Sequence, residues 1–309
     1  MRPWTFVHIA DTQPGSPRSF RYAPAWAENW RTAMQQIREI HPELLLVGGD
    51  VTRDGSIHEF ELAEAKSDLD SLGIPYHVVP GNMDTGNKHA PCQGAWPQRD
   101  DVALNVTSEQ LRQFGRFFGP TCWTFVHKNV RFTGLYAAVA GSGLPEEEDM
   151  WRMLEGLADL PRTTHHVVMT HYALFMDDVN EPTFDLTKPD EYAPWYFPID
   201  REHRLRMICL LKRAGMNVAI SGHIHCFKKD VIDGVVYIKA PATCMSQMED
   251  RWPDGDATLG FLRFDVTDDG IREQMIPLRK ISTAEGYGPG GHPKPEDRDY
   301  SLAWEKDNA

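Results

Sequence analysis

Residues 43–55 read ELLLVGGDVTRDG and residues 75–87 read PYHVVPGNMDTGN. In each, a short apolar run stops at glycine and hands over to Asp50 or Asn82. Such runs are too short for helices and read as strands, the first of them buried. Between them Ser56 is positioned to cap a helix running to about Leu72, with Glu59 completing a capping box and Gly73 ending it. Upstream, Thr5 to Ala10 reads as a strand and residues 25–40 (AWAENWRTAMQQIREI) as a helix that stops before Pro42. A β-α-β-α-β order calls for parallel strands joined by helical crossovers.

The same reading extends along the chain. Helices are expected at Ser108 to Phe118, Glu146 to Leu160 and Asp200 to Ala214, with strands at His165 to Thr170 and Asn217 to Ile220. Hairpins turn at Lys128-Asn129, Asp233-Gly234 and Asp269-Gly270. Phe175 to Pro198 is rich in Asp, Pro and aromatics and has no clear period, which marks a loop that is either functional or disordered. The organisation expected is one domain over 1–281, with an active-site loop at 175–200 and a surface tail at 282–309.

The chain has 309 residues, 41% hydrophobic, and a formal net charge of −13. That length suits one large α/β domain or two smaller ones. The acidity disfavours a nucleic-acid polymer as partner but leaves a small anionic substrate open, because metal cations can dominate the field inside one pocket. The N-terminus goes straight into a strand pattern without a leader-like apolar region, and no apolar run spans a bilayer. No membrane partner and a cytoplasmic location are therefore expected. The oligomeric state is not encoded in any pattern found. Five dispersed cysteines without CxxC spacing argue against a disulfide framework or a thiolate metal cluster.

Five segments place polar residues just after an apolar strand: IADTQ (9–13), VGGDVTRDG (47–55), PGNMD (80–84), MTHY (169–172) and ISGHIH (220–225). Ligands of parallel α/β sheets gather outside the carboxyl ends of strands. The side chains there are Asp11, Gln13, Asp50, Asn82, His171, His223 and His225. Singly, each has a plainer explanation: an aspartate after a strand often caps a helix, and a single histidine is usually structural. His223 and His225 alternate on an extended segment and so point to one side. Jointly, carboxylates and imidazoles suit Zn, Mn or Fe, and the donors exceed the needs of one tetrahedral ion. Two ions sharing a carboxylate would use them all.

In order, D-T-Q, G-D-V-T-R-D-G, G-N-M-D, T-H-Y and G-H-I-H resemble the motifs of the calcineurin-like metallophosphoesterases, over roughly residues 5–245. Residues 49–82 resemble the cyclic-nucleotide phosphodiesterase branch, whereas D-x-Q and TGN are similar to a branch of small phosphatases. The resemblance implies an α/β fold with a central two-sheet β-sandwich flanked by helices, and two metal ions. Asp11, Gln13, Asp50 and His225 would hold the first, and Asp50, Asn82, His171 and His223 the second. A hydroxide between the ions would attack the phosphorus of a small phosphate ester. The catalytic set implied is Asp50, Asn82 and His171.

Two positions depart from the family pattern. Gln13 replaces a histidine, so it either ligates weakly through its amide oxygen or leaves that place to water. Met83 replaces the histidine expected over the substrate, and a thioether carries no proton for a leaving group. His89 and Tyr172 are the nearest substitutes in sequence. Asp84, which would orient that histidine, reads as a turn cap. Arg53, Trp195 and Tyr196 are candidate substrate contacts. The absent acid and the branch-like stretch favour a phosphodiester; D-x-Q and TGN favour a phosphomonoester. A catalytically weak metal-binding scaffold is the reading from another class.

Overall fold

The computed structural model describes residues 2–96, 101–292 and 294–304. The first half lays down β1 (Trp4–Ile9), α1 (Pro24–Ile40), β2 (Leu44–Val47), α2 (Glu59–Ser71), β3 (Tyr76–Val78), the single turn α3 (Asn82–Thr85), α4 (Ser108–Phe118), β4 (Trp123–His127) and β5 (Val130–Leu135). Then follow α5 (Pro145–Gly156), β6 (His165–Thr170), α6 (Pro189–Tyr196), α7 (Arg201–Arg213), β7 (Val218–Ser221), β8 (Lys228–Ile232), β9 (Val235–Lys239), β10 (Gly260–Thr267) and β11 (Gly270–Pro277).

Two sheets result, ordered β11-β10-β1-β2-β3 and β4-β5-β6-β7-β9-β8. The three first strands are parallel, as their crossovers require, and so are β5, β6, β7 and β9. Alternation along β1 explains the layers. Trp4 and Phe6 face inward to meet Phe132, Val167, Met169 and Ile220 of the other sheet. Val7 and Ile9 face outward onto Trp30, Ala33 and Ile37 of α1 and Leu62 and Leu69 of α2. On the far side, Met150 and Leu154 of α5 and Met207 and Leu211 of α7 cover the second sheet. The strand ends of both sheets thus converge along one edge of a helix-flanked sandwich.

Three local expectations shift. The α2 helix begins at Glu59, with His58 as its cap, and Ser56 caps nothing. The amides of Ile57 and His58 both donate to the Asp54 carbonyl, closing a turn first, and Glu59 faces out to Arg116. Within 175–198 the chain forms α6, whose helical period is hidden by Pro189 and Pro194. The described residues of the C-terminal segment fold back along the surface: the Gly290 amide donates to the Phe20 carbonyl at 2.9 Å, and the Tyr300 ring packs on Phe20. Among the described residues no helix is long and apolar enough to cross a membrane.

One buried titratable group in this frame makes a prediction. His166, on the outer face of β6, has the Ala214 carbonyl 3.2 Å from Nδ1 and the Thr133 hydroxyl 2.9 Å from Nε2. Those partners fit a neutral ring, and burial pushes its pKa down to about 4. The unfolded chain binds this proton near pH 6.5, so stability is complete above that pH and falls as pH drops towards 4. The loss amounts to on the order of 3 kcal/mol. Urea melts in chelator should show His166→Gln losing less stability than the parent between pH 7 and 4.5; equal slopes would refute the assignment.

Candidate active site

Each of the five polar segments follows the end of β1, β2, β3, β6 or β7, and together they close one buried site. Asp11, Asp50 and His171 are at most 1% exposed. Two overlapping groups bring their ligand atoms within 4.8 Å of one another: Asp11, Asp50 and His225, and Asp50, His171 and His223. Asp50 belongs to both. Asn82 joins the second group, its Oδ1 lying 3.1 Å from His171 Nε2.

The backbone is bent to achieve this. Nine non-glycine residues among those described have positive φ, and Asp11, Gln13, Asp50, His223 and His225 are five of them. Such strain persists where the surroundings over-determine it and gathers at functional sites. His223 (φ 68°) and His225 (φ 54°) lie beyond the end of β7. Their juxtaposition therefore comes from a tight turn, with the Ile224 amide donating to Gly222, not from strand alternation, and each serves a different group. Gly81 is needed because a Cβ there would lie 2.1 Å from Asp50 Oδ1.

Each histidine is oriented by a backbone carbonyl. His171 Nδ1 lies 2.8 Å from the Gly48 carbonyl and His225 Nδ1 2.9 Å from that of Met245, while His223 bonds the backbone of Tyr196. A carbonyl on Nδ1 fixes the tautomer that leaves Nε2 with its lone pair for a cation. His223 Nε2 is buried without a hydrogen-bond partner, and Asp11 Oδ1 is buried 3.1 Å from His225 Nε2. Burial pushes the Asp50 carboxyl up and the His223 imidazole down, each towards its neutral form. These are groups whose burial a cation would compensate.

The Gln13 amide spans two neighbours. Its Oε1 accepts from Arg53 Nη1 at 2.9 Å, and its Nε2 donates to Asp50 Oδ2 at 2.8 Å. Since a guanidinium only donates, the amide oxygen is engaged there. Arg53 is itself buried, packed over Trp26 at 4.5 Å, and pushed down to about 9 by burial and then by Arg21. Its Nη1 is occupied by Gln13. Asp84 behaves as a turn cap: it accepts from the amides of Gly81 (2.8 Å) and Thr52 (3.0 Å) and from the Thr52 hydroxyl (2.6 Å).

The places of the remaining candidates follow from packing. Met83 borders a cavity of about 480 Å³ together with Asn82, Asn87 and Tyr196. Neither His89 nor Tyr172 lines it. The Tyr172 hydroxyl accepts the Lys88 amide at 3.2 Å in the core, and His89 faces Asn105. Trp195 is turned into a cluster with Ala90, Leu186 and Tyr192, where Lys88 caps its ring. Tyr196, one residue on, does reach the site, its hydroxyl accepting from Asn82 Nδ2 at 3.2 Å.

Two residues had no motif to reveal them. Arg21 is ion-paired to buried Asp54 and points Nη2 at the Met83 sulfur, 3.3 Å away. Its sequence context, SFRYAP, gives no hint of this; loop packing alone brings it to the site. Asn87 accepts from Asn82 Nδ2 at 3.1 Å and so turns the Asn82 oxygen towards His171. The TGN tripeptide was the available signal for it.

Comparison with known proteins agrees with this architecture. A family model described as calcineurin-like phosphoesterase matches residues 5–227. The chain is 24% identical over 303 residues to the serine/threonine-protein phosphatase CPPED1 of Danio rerio, covering 91% of this chain and 86% of that protein. The structure of purple acid phosphatase PPD1 from yellow lupin (Lupinus luteus) superposes with a TM-score of 0.64 at 11% identity, over 92% of this chain and 53% of that one. GAP50, described as the anchor in the inner membrane complex of Plasmodium, superposes with a TM-score of 0.57 at 14% identity, over 97% of this chain and 92% of that one. At such identities the two structural likenesses concern the fold. The chain belongs to the calcineurin-like phosphoesterase family. It is accordingly a metal-dependent hydrolase of phosphate ester bonds.

Proposed function

We propose that the chain hydrolyses a small phosphate ester at a centre of two metal ions, a diester in preference to a monoester. The observation that carries the two-ion reading is the pair of overlapping ligand groups sharing Asp50. Asp11 and His225 would complete one place, His171, His223 and Asn82 the other, with Gln13 bracing Asp50 from the side. Metals of the Mn, Fe or Zn kind suit this mixed carboxylate and imidazole set. Such ions, when bound, lower the pKa of water and stabilise charge on phosphoryl oxygens.

The residues of the chain supply the remainder. Asn87 and Tyr196 hold the Asn82 amide in one orientation, and the Gly48 and Met245 carbonyls do the same for two imidazoles. Met83 brings no proton to the place beside Asn82. The Tyr196 hydroxyl and the Arg21 guanidinium border the same cavity and can meet charge on a departing oxygen. A leaving group that needs little protonation suits this arrangement, which favours activated diesters. The monoester alternative draws on the CPPED1 relative, a protein named as a serine/threonine-protein phosphatase. GAP50, named as an anchor, shows that the fold also serves other roles. Five free thiols, two of them exposed, fit a reducing compartment such as the cytoplasm.

Parallel assays on mono- and bis-p-nitrophenyl phosphate with Mn²⁺, alongside metal analysis, test the proposal. About two ions per chain and faster turnover of the diester are expected. Faster turnover of the monoester would transfer the assignment to a phosphomonoesterase. Less than about one ion with no hydrolysis would leave a scaffold. As a further expectation, Met83→His raises turnover of alkyl esters by about 10- to 100-fold and of p-nitrophenyl esters much less. Equal gains on both would show that the position has no acid role.

A further inference from the structure

The cavity beside Met83 has a wall that the family match, ending at residue 227, does not include. Its lining comprises Phe20 and Arg21 from the loop before α1, Trp96 and Tyr196, and then Arg298 and Tyr300 from the C-terminal segment. That segment is built in. Gly288 lies so close to the chain at 19–22 that a Cβ would stand 1.9 Å from the Ser19 carbonyl. Beyond it, Gly291 bridges Arg298, the Asp299 amide donates to Gly290 at 3.1 Å, and Arg298 Nε donates to His292 at 3.0 Å. The Tyr300 ring lies 5.6 Å from that of Phe20, and Ala303 is buried.

We propose that residues 288–292 and 294–303 form the outer wall of the substrate pocket and that this pocket selects a compact phosphate ester carrying an aromatic ring. This deepens the proposed activity and rests on it. A cavity of about 480 Å³ accommodates a single small molecule. Rings at Phe20, Trp96, Tyr196 and Tyr300 offer flat apolar faces on which an aromatic leaving group stacks. Arg21, held by Asp54, and Arg298 line the same cavity as Asn82 and Met83 and can donate to an anion there. A cavity of that size bounded by Arg298 and Tyr300 leaves little room for a phosphorylated protein segment.

The test measures binding of phenylphosphonate and methylphosphonate to the Mn²⁺-loaded full chain by calorimetry, with hydrolysis of phenyl phosphate, p-nitrophenyl esters and a phosphoserine peptide followed in parallel. The parent is expected to bind phenylphosphonate about tenfold more tightly than methylphosphonate, the scale of one aromatic contact. Tyr300→Ala and Gly288→Val should each reduce that preference to below about threefold, while Arg298→Ala weakens both ligands alike. Gly288→Val removes no lining side chain but forces the segment off the Ser19 and Phe20 carbonyls, so agreement between it and Tyr300→Ala ties the preference to the seating of this segment. Equal affinities in the parent, or a preference untouched in both variants, would overturn the proposal. So would turnover of the phosphopeptide faster than of phenyl phosphate. If the loaded parent hydrolyses no ester at all, the proposed activity fails, yet the two phosphonates still report on the pocket.

Discussion

Asp50→Asn is expected to lower kcat/KM on an aryl phosphate ester by at least about 10³-fold, because several kcal/mol of charge stabilisation is at stake. The aspartate is the one side chain common to both ligand groups. Its Oδ1 also accepts the Met83 amide at 2.8 Å, and its Oδ2 accepts the Gln13 amide at 2.8 Å. Asparagine keeps the volume but replaces one oxygen with a donor that would face the Gln13 amide. Metal content should fall together with activity, and elemental analysis beside steady-state kinetics checks both. Retention of two ions and of activity within tenfold would show that Asp50 is not shared.

The second large effect concerns stability. Arg204 of α7 is completely buried. Its guanidinium donates to the carbonyls of Val179 and Ile199 at 2.9 Å each, and to that of Glu181. The Glu181 carboxylate in turn accepts the amides of Met176 and Asp177 at 2.8 and 2.9 Å. This one side chain therefore ties down the loop that carries α6 and Tyr196. Arg204→Leu leaves those carbonyls without their donor and removes the cation 3.6 Å from the Glu181 carboxylate, at a cost of about 3–5 kcal/mol. Chemical denaturation should show it, and the variant should lose ester turnover through displacement of Tyr196. A change below about 1 kcal/mol would contradict the packing argument.

Much of the candidate site was legible in the sequence because its residues obey local rules. Asp11, Asp50, Asn82 and His171 each follow an apolar run whose length and β-branching mark a strand. Parallel crossovers oblige those strand ends to lie side by side. The hairpin turns were equally readable from Asp-Gly and Lys-Asn pairs. What failed locally failed for physical reasons: Asp54 preempted Ser56 as organiser of the turn before α2, and Pro194 disguised a helix. The geometry of His223 and His225 was misjudged because a positive-φ turn leaves no hydrophobic period to detect.

By itself the sequence determined the order of elements, the pairing of parallel strands and the set of acidic, amide and imidazole groups gathered at one edge. Those follow from periodicity and chain connectivity, which act over a few residues or one crossover. Only the tertiary structure decided which neighbour each of these groups meets. It gave the Gln13 oxygen to Arg53, put Arg21 rather than His89 beside Met83, hid Trp195 while presenting Tyr196, and set Arg298 and Tyr300 against the cavity. Such contacts join segments tens to hundreds of residues apart, and their energies depend on packing and burial that no local pattern records.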